Sequence, residues 1–252
     1  MLLKSLWIAL STYSVLPVPQ FEWTKRNMEY AICFFPVVGF LCGGALALWN
    51  WLCTALKVSS ILFAVVATCL PILLTGGIHM DGFMDTVDAL ASHQPRERKL
   101  EILKDPHCGA FAIFYCVVYL LLCFGLYYEV FSLGLAYALC PAFVLSRALS
   151  ALCAVTLPNA RKAGMLCSFT GGVHRRTAVA AVGITSVCAG LVLLLLSPVP
   201  GCVCLLFCAA ALIWYRRMAL RQFGGGTGDT AGFFLQTCEL SALLGLWLGG
   251  LV

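Results

Sequence analysis

Apolar residues in this chain do not alternate with polar ones; they come in long blocks separated by short stretches rich in glycine and basic residues. Seven blocks stand out, at 30–53, 58–75, 110–127, 131–157, 177–199, 201–215 and 231–251. Segments that are apolar on every side and satisfy their backbone internally are membrane-spanning helices, whereas barrel strands would show a two-residue alternation. The pattern predicts an all-α polytopic membrane protein with about seven transmembrane helices. A span needs roughly 20 apolar residues, so the short block at 201–215 has a re-entrant segment as its alternative. Residues 1–18 are also apolar, with Lys4 near the start, but Leu16-Pro-Val-Pro19 interrupts them and no small-residue cleavage pattern follows. That combination predicts an N-terminal interfacial or half-inserted helix and not a removed signal.

Composition agrees with a bilayer as solvent. Of 252 residues, 62% are hydrophobic and 11% charged, too little polar surface to coat a water-soluble globule. The polar stretches before the first block, after the second, after the fourth and after the sixth carry three, four, four and three of the 16 basic residues. Short loops retain lysine and arginine on the cytoplasmic side, so a cytoplasmic N-terminus and an outward C-terminus are expected. The opposite loops hold only Lys57, and Arg147 lies inside the fourth block. Net charge of +5 then reflects topology and attraction to anionic headgroups, with no separate basic domain for nucleic acid. Nearly all of the 15 cysteines fall inside apolar blocks, where a thiol packs as a small hydrophobe. Cys202, Cys204 and Cys208 have no histidine nearby, which argues against a metal site there. No internal repeat or low-complexity linker divides the chain, so 1–252 reads as a single membrane domain.

Candidate chemistry concentrates after the second block, in Thr75-Gly-Gly-Ile-His-Met-Asp-Gly-Phe-Met-Asp-Thr-Val-Asp-Ala89. On a helix, Asp81, Asp85 and Asp88 share a face, and three anions in one patch repel one another unless a cation neutralises them. Magnesium suits such an open patch, because it accepts a few carboxylates, keeps waters and recruits phosphate oxygens. The bland alternative is a capping Asp81 and a wetted face. Gly76, Gly77 and Gly82 weigh against it, since a simple amphipathic helix would prefer alanine there. His79 serves either as an interfacial hydrogen-bonding group or as a phosphate contact or proton carrier. Downstream, the helix expected around 94–104 reads as solvated surface, Glu97 and Glu101 included, while Lys104 and Asp105 stand beside the acidic patch.

Arg147 within a span must face a cavity or a partner, and Glu239, deep in the last block, is the matching acid. Arg161 and Lys162, like His174, Arg175 and Arg176, also fit the plain positive-inside pattern. Gly224-Gly-Gly-Thr-Gly-Asp229 looks like a phosphate cradle at a helix N-terminus. It lacks the lysine of a Walker loop and the spacing of a dinucleotide fingerprint.

Taken together, Gly76-Gly77-x-His79-x-Asp81-Gly82-x-x-Asp85-Thr86-x-Asp88, Lys104-Asp105, Ser146-Arg147, Ala160-Arg161-x-x-Gly164 and Thr227-Gly228-Asp229 resemble the cobalamin synthase family in order and spacing. Leu16-Pro-Val-Pro19 and Phe35-Pro-x-Val-Gly39 are similar to it as well, so the likeness runs from about Leu10 to Glu239. The resemblance implies a magnesium-dependent transferase of the bacterial inner membrane, its site on the cytoplasmic side, acting at the last assembly stage of vitamin B12. Its substrates would be adenosylcobinamide-GDP and α-ribazole or α-ribazole 5′-phosphate, and GMP would leave. Carried onto this sequence, Asp81, Asp85, Asp88 and Asp229 would serve the metal and His79 would assist. Lys104, Asp105, Arg147, Arg161, Gly76, Gly77, Gly225, Thr227, Gly228 and Glu239 would form the substrate site. Expected partners are the two substrates and membrane lipid, with homo-oligomerisation left open. Departures from the family pattern are Pro106-His107 where serine-arginine is usual, and Ala89 and Ala112 where glycine is usual. A CDP-alcohol phosphotransferase is the rival enzyme, yet Thr86-Val87 stands where it would carry an Ala-Arg pair. A transporter is the rival of another class, and its midplane site between repeated halves has no counterpart in this pattern.

Overall fold

The computed structural model describes residues 2–252, which are helical with no strand among them; one isolated bridge joins Asn159 to Gly226. Helix α1 (Leu2–Tyr13) buries Ile8, Ala9 and Leu10 while Leu2 and Leu3 stay exposed, the asymmetry of an interfacial helix. The prolines end it, and the Val15 N–H bonds the Leu74 carbonyl at 2.9 Å, tying the N-terminal strap to the end of α4. A turn of α2 (Lys25–Met28) leads to α3 (Phe35–Ala55), α4 (Ser60–Leu74), α5 (Ile78–Ala91) and the short α6 (Arg96–Ile102). Then come α7 (Ala110–Ser132), α8 (Leu139–Thr156), the short α9 (Met165–Thr170), α10 (Arg175–Leu196), α11 (Pro198–Met218) and α12 (Gly228–Gly250).

Six stretches are long and apolar enough to cross a membrane, and a seventh crossing exists if the bent pair α4 and α5 counts as one. The weak segment is not where hydropathy alone placed it. The block at 201–215 belongs to α11, which is 21 residues long because Pro198 opens it and Arg216-Arg217 extend it past the apolar core. The short segment is α4, 15 residues followed by a 92° bend into α5.

Helices α8 and α12 form the interior, with 78% and 61% of their spanning windows buried, against 22% in α7, α10 and α11. Their neighbours approach on glycine. A Cβ on Gly43 of α3 would lie 2.6 Å from Cys140 Cα, and Cβ atoms on Gly245 and Gly249 of α12 would lie 2.6 and 2.5 Å from backbone atoms of Cys204 and Pro200. Lipid supplies no hydrophobic drive between helices, so such small-residue seams supply close packing instead. Outward-facing Phe40, Leu48, Phe114, Leu121, Ile184 and Leu195 form an apolar outer belt.

Candidate active site

The site begins at the bend. Gly76 and Gly77 have φ of 63° and 78°, a left-handed region costly for any residue with a Cβ. Their N–H groups bond the Leu73 and Ile72 carbonyls, so these two glycines turn the chain and have no free donor for a substrate. Past them the chain bends by 92° into α5, which packs on the starts of α12 and α7. Gly82 rests on α12, where a Cβ would meet the Asp229 carbonyl oxygen at 2.8 Å, and Gly232 rests on His79 at 2.9 Å. Farther along α5, Asp88 reaches α7, accepting hydrogen bonds from the Gly109 N–H at 2.6 Å and the Ala112 N–H at 2.9 Å.

That placement divides the expected carboxylates. Asp81, Asp85 and Asp229 line one open cavity of about 350 Å³ with Lys104 and Asp105. Asp88 does not line it and instead caps the first turn of α7, satisfying donors that a helix N-terminus otherwise leaves bare. Gly109 is required for this cap, because a Cβ there would lie 2.6 Å from the Asp88 carboxylate. Among the described residues no three His, Cys, Asp or Glu side chains converge to cage a metal ion. The expected four-carboxylate ligand set is thus reduced to three acids around a cavity.

Electrostatics in the cavity favour added positive charge. Burial, then the Asp81, Asp229 and Asp88 carboxylates, push the Asp85 pKa up to about 7, with Arg161 opposing. Arg161 pairs with Asp229 at 3.2 Å and donates to the Leu100 carbonyl at 3.2 Å. These contacts set it at the cavity edge. Lys104 is exposed on the same wall. His107, standing where the family pattern has arginine, binds Asp105 through its ring at 2.8 Å and its backbone N–H at 3.0 Å. Those bonds hold the Asp105 carboxyl below its usual range.

Other expected contacts are committed elsewhere. Arg147 and Glu239 form a buried ion pair, 1% and 5% exposed, with Ser146 bridging and the Phe143 ring beneath the guanidinium. Ten residues along α12 from Asp229 is roughly 15 Å of helix, so the pair locks α8 to α12 and stays out of the carboxylate cavity. Nor is the glycine run a cradle. The N–H groups of Gly224, Gly225 and Gly226 bond the carbonyls of Leu220, Ala219 and Pro158, and that of Thr227 bonds the Thr230 hydroxyl. Gly225 and Gly226 strap the 158–160 loop, and with it Arg161, against the start of α12. Thr227 caps that helix reciprocally with Thr230. Gly228, in the first turn, lines the two cavities that flank Asp229. His79 is 4% exposed, and burial pushes its pKa down to about 3, so it acts as a neutral ring and not as a cation for phosphate.

Helix α6, read from sequence as solvated surface, also contributes. Lys99 is buried and bonds Gln222, and the Arg96 guanidinium lies directly against Gly224. With Arg161 on Leu100, these contacts fasten α6 to the glycine strap. A basic helix gave no sequence signal for a partner more than 100 residues away.

The family model for cobalamin-5-phosphate synthase matches residues 5–247. Relatives named adenosylcobinamide-GDP ribazoletransferase include one from Lachnoclostridium phytofermentans, 45% identical over 95% of this chain and 92% of its own length. One from Desulfitobacterium hafniense is 34% identical over 96% of both chains, and one from Pseudomonas entomophila is 35% identical over 96% of this chain and 98% of its own. No solved structure matches. Full-length agreement of this kind sets aside the CDP-alcohol phosphotransferase and transporter readings, and the chain belongs to the cobalamin-5-phosphate synthase family.

Proposed function

We propose that this protein joins adenosylcobinamide-GDP to α-ribazole or α-ribazole 5′-phosphate, forming adenosylcobalamin or its 5′-phosphate and releasing GMP. The observation that carries the reading is one cavity holding Asp81, Asp85, Asp229 and Lys104, with Arg161 on its edge, in a chain of this family. A ribose hydroxyl of the acceptor attacks the corrin-side phosphorus of the diphosphate, the bond from that phosphorus to the bridging oxygen breaks, and GMP leaves with the electron pair. Lys104 and Arg161 offset the charge that gathers on the phosphate oxygens. Asp85, whose proton affinity lies near neutrality, suits the acceptance of the hydroxyl proton.

Hard carboxylate oxygens around an open cavity, with like charges that disfavour one another, fit a hydrated divalent cation shared with substrate phosphates better than a closed cage. Asp81 and Asp229 would hold it, and magnesium when bound supplies charge neutralisation at the diphosphate. The basic residues Arg96, Lys104, Arg161 and Arg216 all lie on loops or helix ends at the carboxylate end of the bundle. This supports a cytoplasmic site and N-terminus, an outward C-terminus and residence in a bacterial inner membrane. Lipid would surround the apolar belt.

The test is purified protein in lipid nanodiscs supplied with adenosylcobinamide-GDP, ribazole and magnesium, with GMP and cobalamin quantified. Equimolar GMP and cobalamin, abolished by a chelator and restored by magnesium, is the expected result. Unchanged turnover in the chelator would overturn the metal assignment, and no product from these substrates would overturn the reaction.

A further inference from the structure

A second cavity, of about 140 Å³, lies on the other side of Asp81 and Asp229, which line both. It is enclosed by α1, the start of α3, α5, α8, α9 and α12. Its character differs from that of the charged cavity. Tyr13 and Phe35 pack around the His79 ring with centroid separations of 5.8 and 5.6 Å, one stacked and one edge-on, while Ala151 and Ala154 of α8 leave the opposite wall flat. Away from the shared Asp81 and Asp229 carboxylates, its polar side chains are Tyr13, Ser150, 3% exposed, and His79, whose buried Nε2 has no hydrogen-bond partner. Buried ring nitrogens without partners are uncommon, because the cost of their desolvation goes uncompensated.

We infer that this second cavity is the pocket for the planar base of the acceptor nucleoside, with the ribose at the Asp81–Asp229 junction and its hydroxyl facing the charged cavity. The inference rests on the transferase reading and adds the placement of its two substrates. Volume bears on it: a cavity of roughly 150 Å³ takes up a benzene ring, so at about 140 Å³ this one admits the six-membered ring of a flat fused base entering edge-first, with the rest toward the junction, while a corrin is far too large. Polarity separates the two candidate bases. Guanine presents donors and acceptors around most of its edge, more than Tyr13, Ser150 and His79 can pair once Asp81 and Asp229 are given to the cation. A benzimidazole-type ring presents a hydrocarbon edge and few polar atoms, matching one imidazole and two hydroxyls. The diphosphate then occupies the side lined by Asp85 and Lys104, and the two substrates meet at the carboxylates common to both cavities.

The experiment compares wild type with Ala154→Leu, which fills the cavity, and Ser150→Ala, which leaves it open but removes a hydroxyl. Each is assayed in nanodiscs for KM toward both substrates, and for equilibrium binding of radiolabelled ribazole and of adenosylcobinamide-GDP. Ala154→Leu should raise the KM and Kd for ribazole at least tenfold and leave those for adenosylcobinamide-GDP within twofold, which also shows that the variant is folded. Its penalty should shrink for the riboside of unsubstituted benzimidazole, because the added side chain competes with ring substituents for space. Ser150→Ala should weaken ribazole about threefold or more. A parallel loss for both substrates, an unchanged ribazole affinity in both variants, or a selective loss of GMP inhibition would overturn the assignment, the last by placing guanine there. Should wild type release no GMP, the transferase reading fails, while the ribazole-binding comparison still decides what the cavity holds.

Discussion

Replacing Asp88 separates the metal-ligand role that the sequence suggests from the helix-cap role that the structure gives it. Its oxygens accept the Gly109 and Ala112 N–H groups at 2.6 and 2.9 Å, so the structure makes it the clasp between α5 and α7. A hydrogen bond to a charged group contributes about 1.5–3 kcal/mol in a buried setting, and loss of a capping side chain costs about 0.5–2 kcal/mol. Asp88 is only partly buried, which places Asp88→Ala near 2 kcal/mol by that cap scale. Asp88→Asn keeps one acceptor oxygen but turns a donor toward the second N–H, for about half that loss. For a chain of this size a kcal/mol corresponds to about 2–4 °C, so Asp88→Ala should unfold about 4–8 °C below wild type by intrinsic fluorescence in detergent. The magnesium concentration giving half-maximal GMP release should stay within twofold of wild type in Asp88→Asn. A wild-type unfolding temperature combined with a tenfold greater magnesium requirement would refute the capping role and return Asp88 to the metal.

Three further outcomes follow from the same geometry. Asp85→Asn should lower GMP release at least a hundredfold without reducing membrane insertion, checked by rate and by membrane-fraction yield. Because the folded-state pKa of Asp85 is raised to about 7, the folded protein binds more protons than the unfolded chain between about pH 4 and 7. Metal-free protein should therefore lose thermal stability as pH rises through that window, a slope that Asp85→Asn flattens and that magnesium with adenosylcobinamide-GDP diminishes. Glu239→Ala should destabilise by about 3–5 kcal/mol by stranding Arg147, whereas the double variant Arg147→Met/Glu239→Leu should recover most of the loss, read from unfolding temperatures.

Hydropathy made the spanning helices legible because lipid forces both length and composition on them. It failed at α4, since the apolar run at 58–75 conceals that its last residues precede a right-angle turn. Gly76 and Gly77 were the visible signal for that turn, but the same permissiveness that bends a chain also lets a substrate approach. The acidic spacing put Asp81, Asp85 and Asp88 on one face; in the structure Asp81 and Asp85 line a cavity with Asp229, while Asp88, one turn on, meets helix α7. Tertiary partners are what sequence spacing lacks: the donors of Gly224–Thr227 are consumed by Leu220, Ala219, Pro158 and Thr230. Arg147 and Glu239 were pairable from sequence as two charges in need of neutralisation, and the pairing removed them from the substrate site. Nothing in the pattern brought Tyr13 and Phe35 to His79, for that cage depends on how the N-terminal strap folds back onto α4.

Electron paramagnetic resonance with manganese in place of magnesium reads the shared cation directly. Titrated into nanodisc-embedded protein, one manganese per chain should bind tightly once adenosylcobinamide-GDP is added, with phosphorus hyperfine coupling from the diphosphate, and Asp81→Asn should weaken that binding at least tenfold. Manganese that binds without phosphorus coupling, or equally well after Asp81 and Asp229 are both neutralised, would contradict a diphosphate held between these carboxylates and a cation.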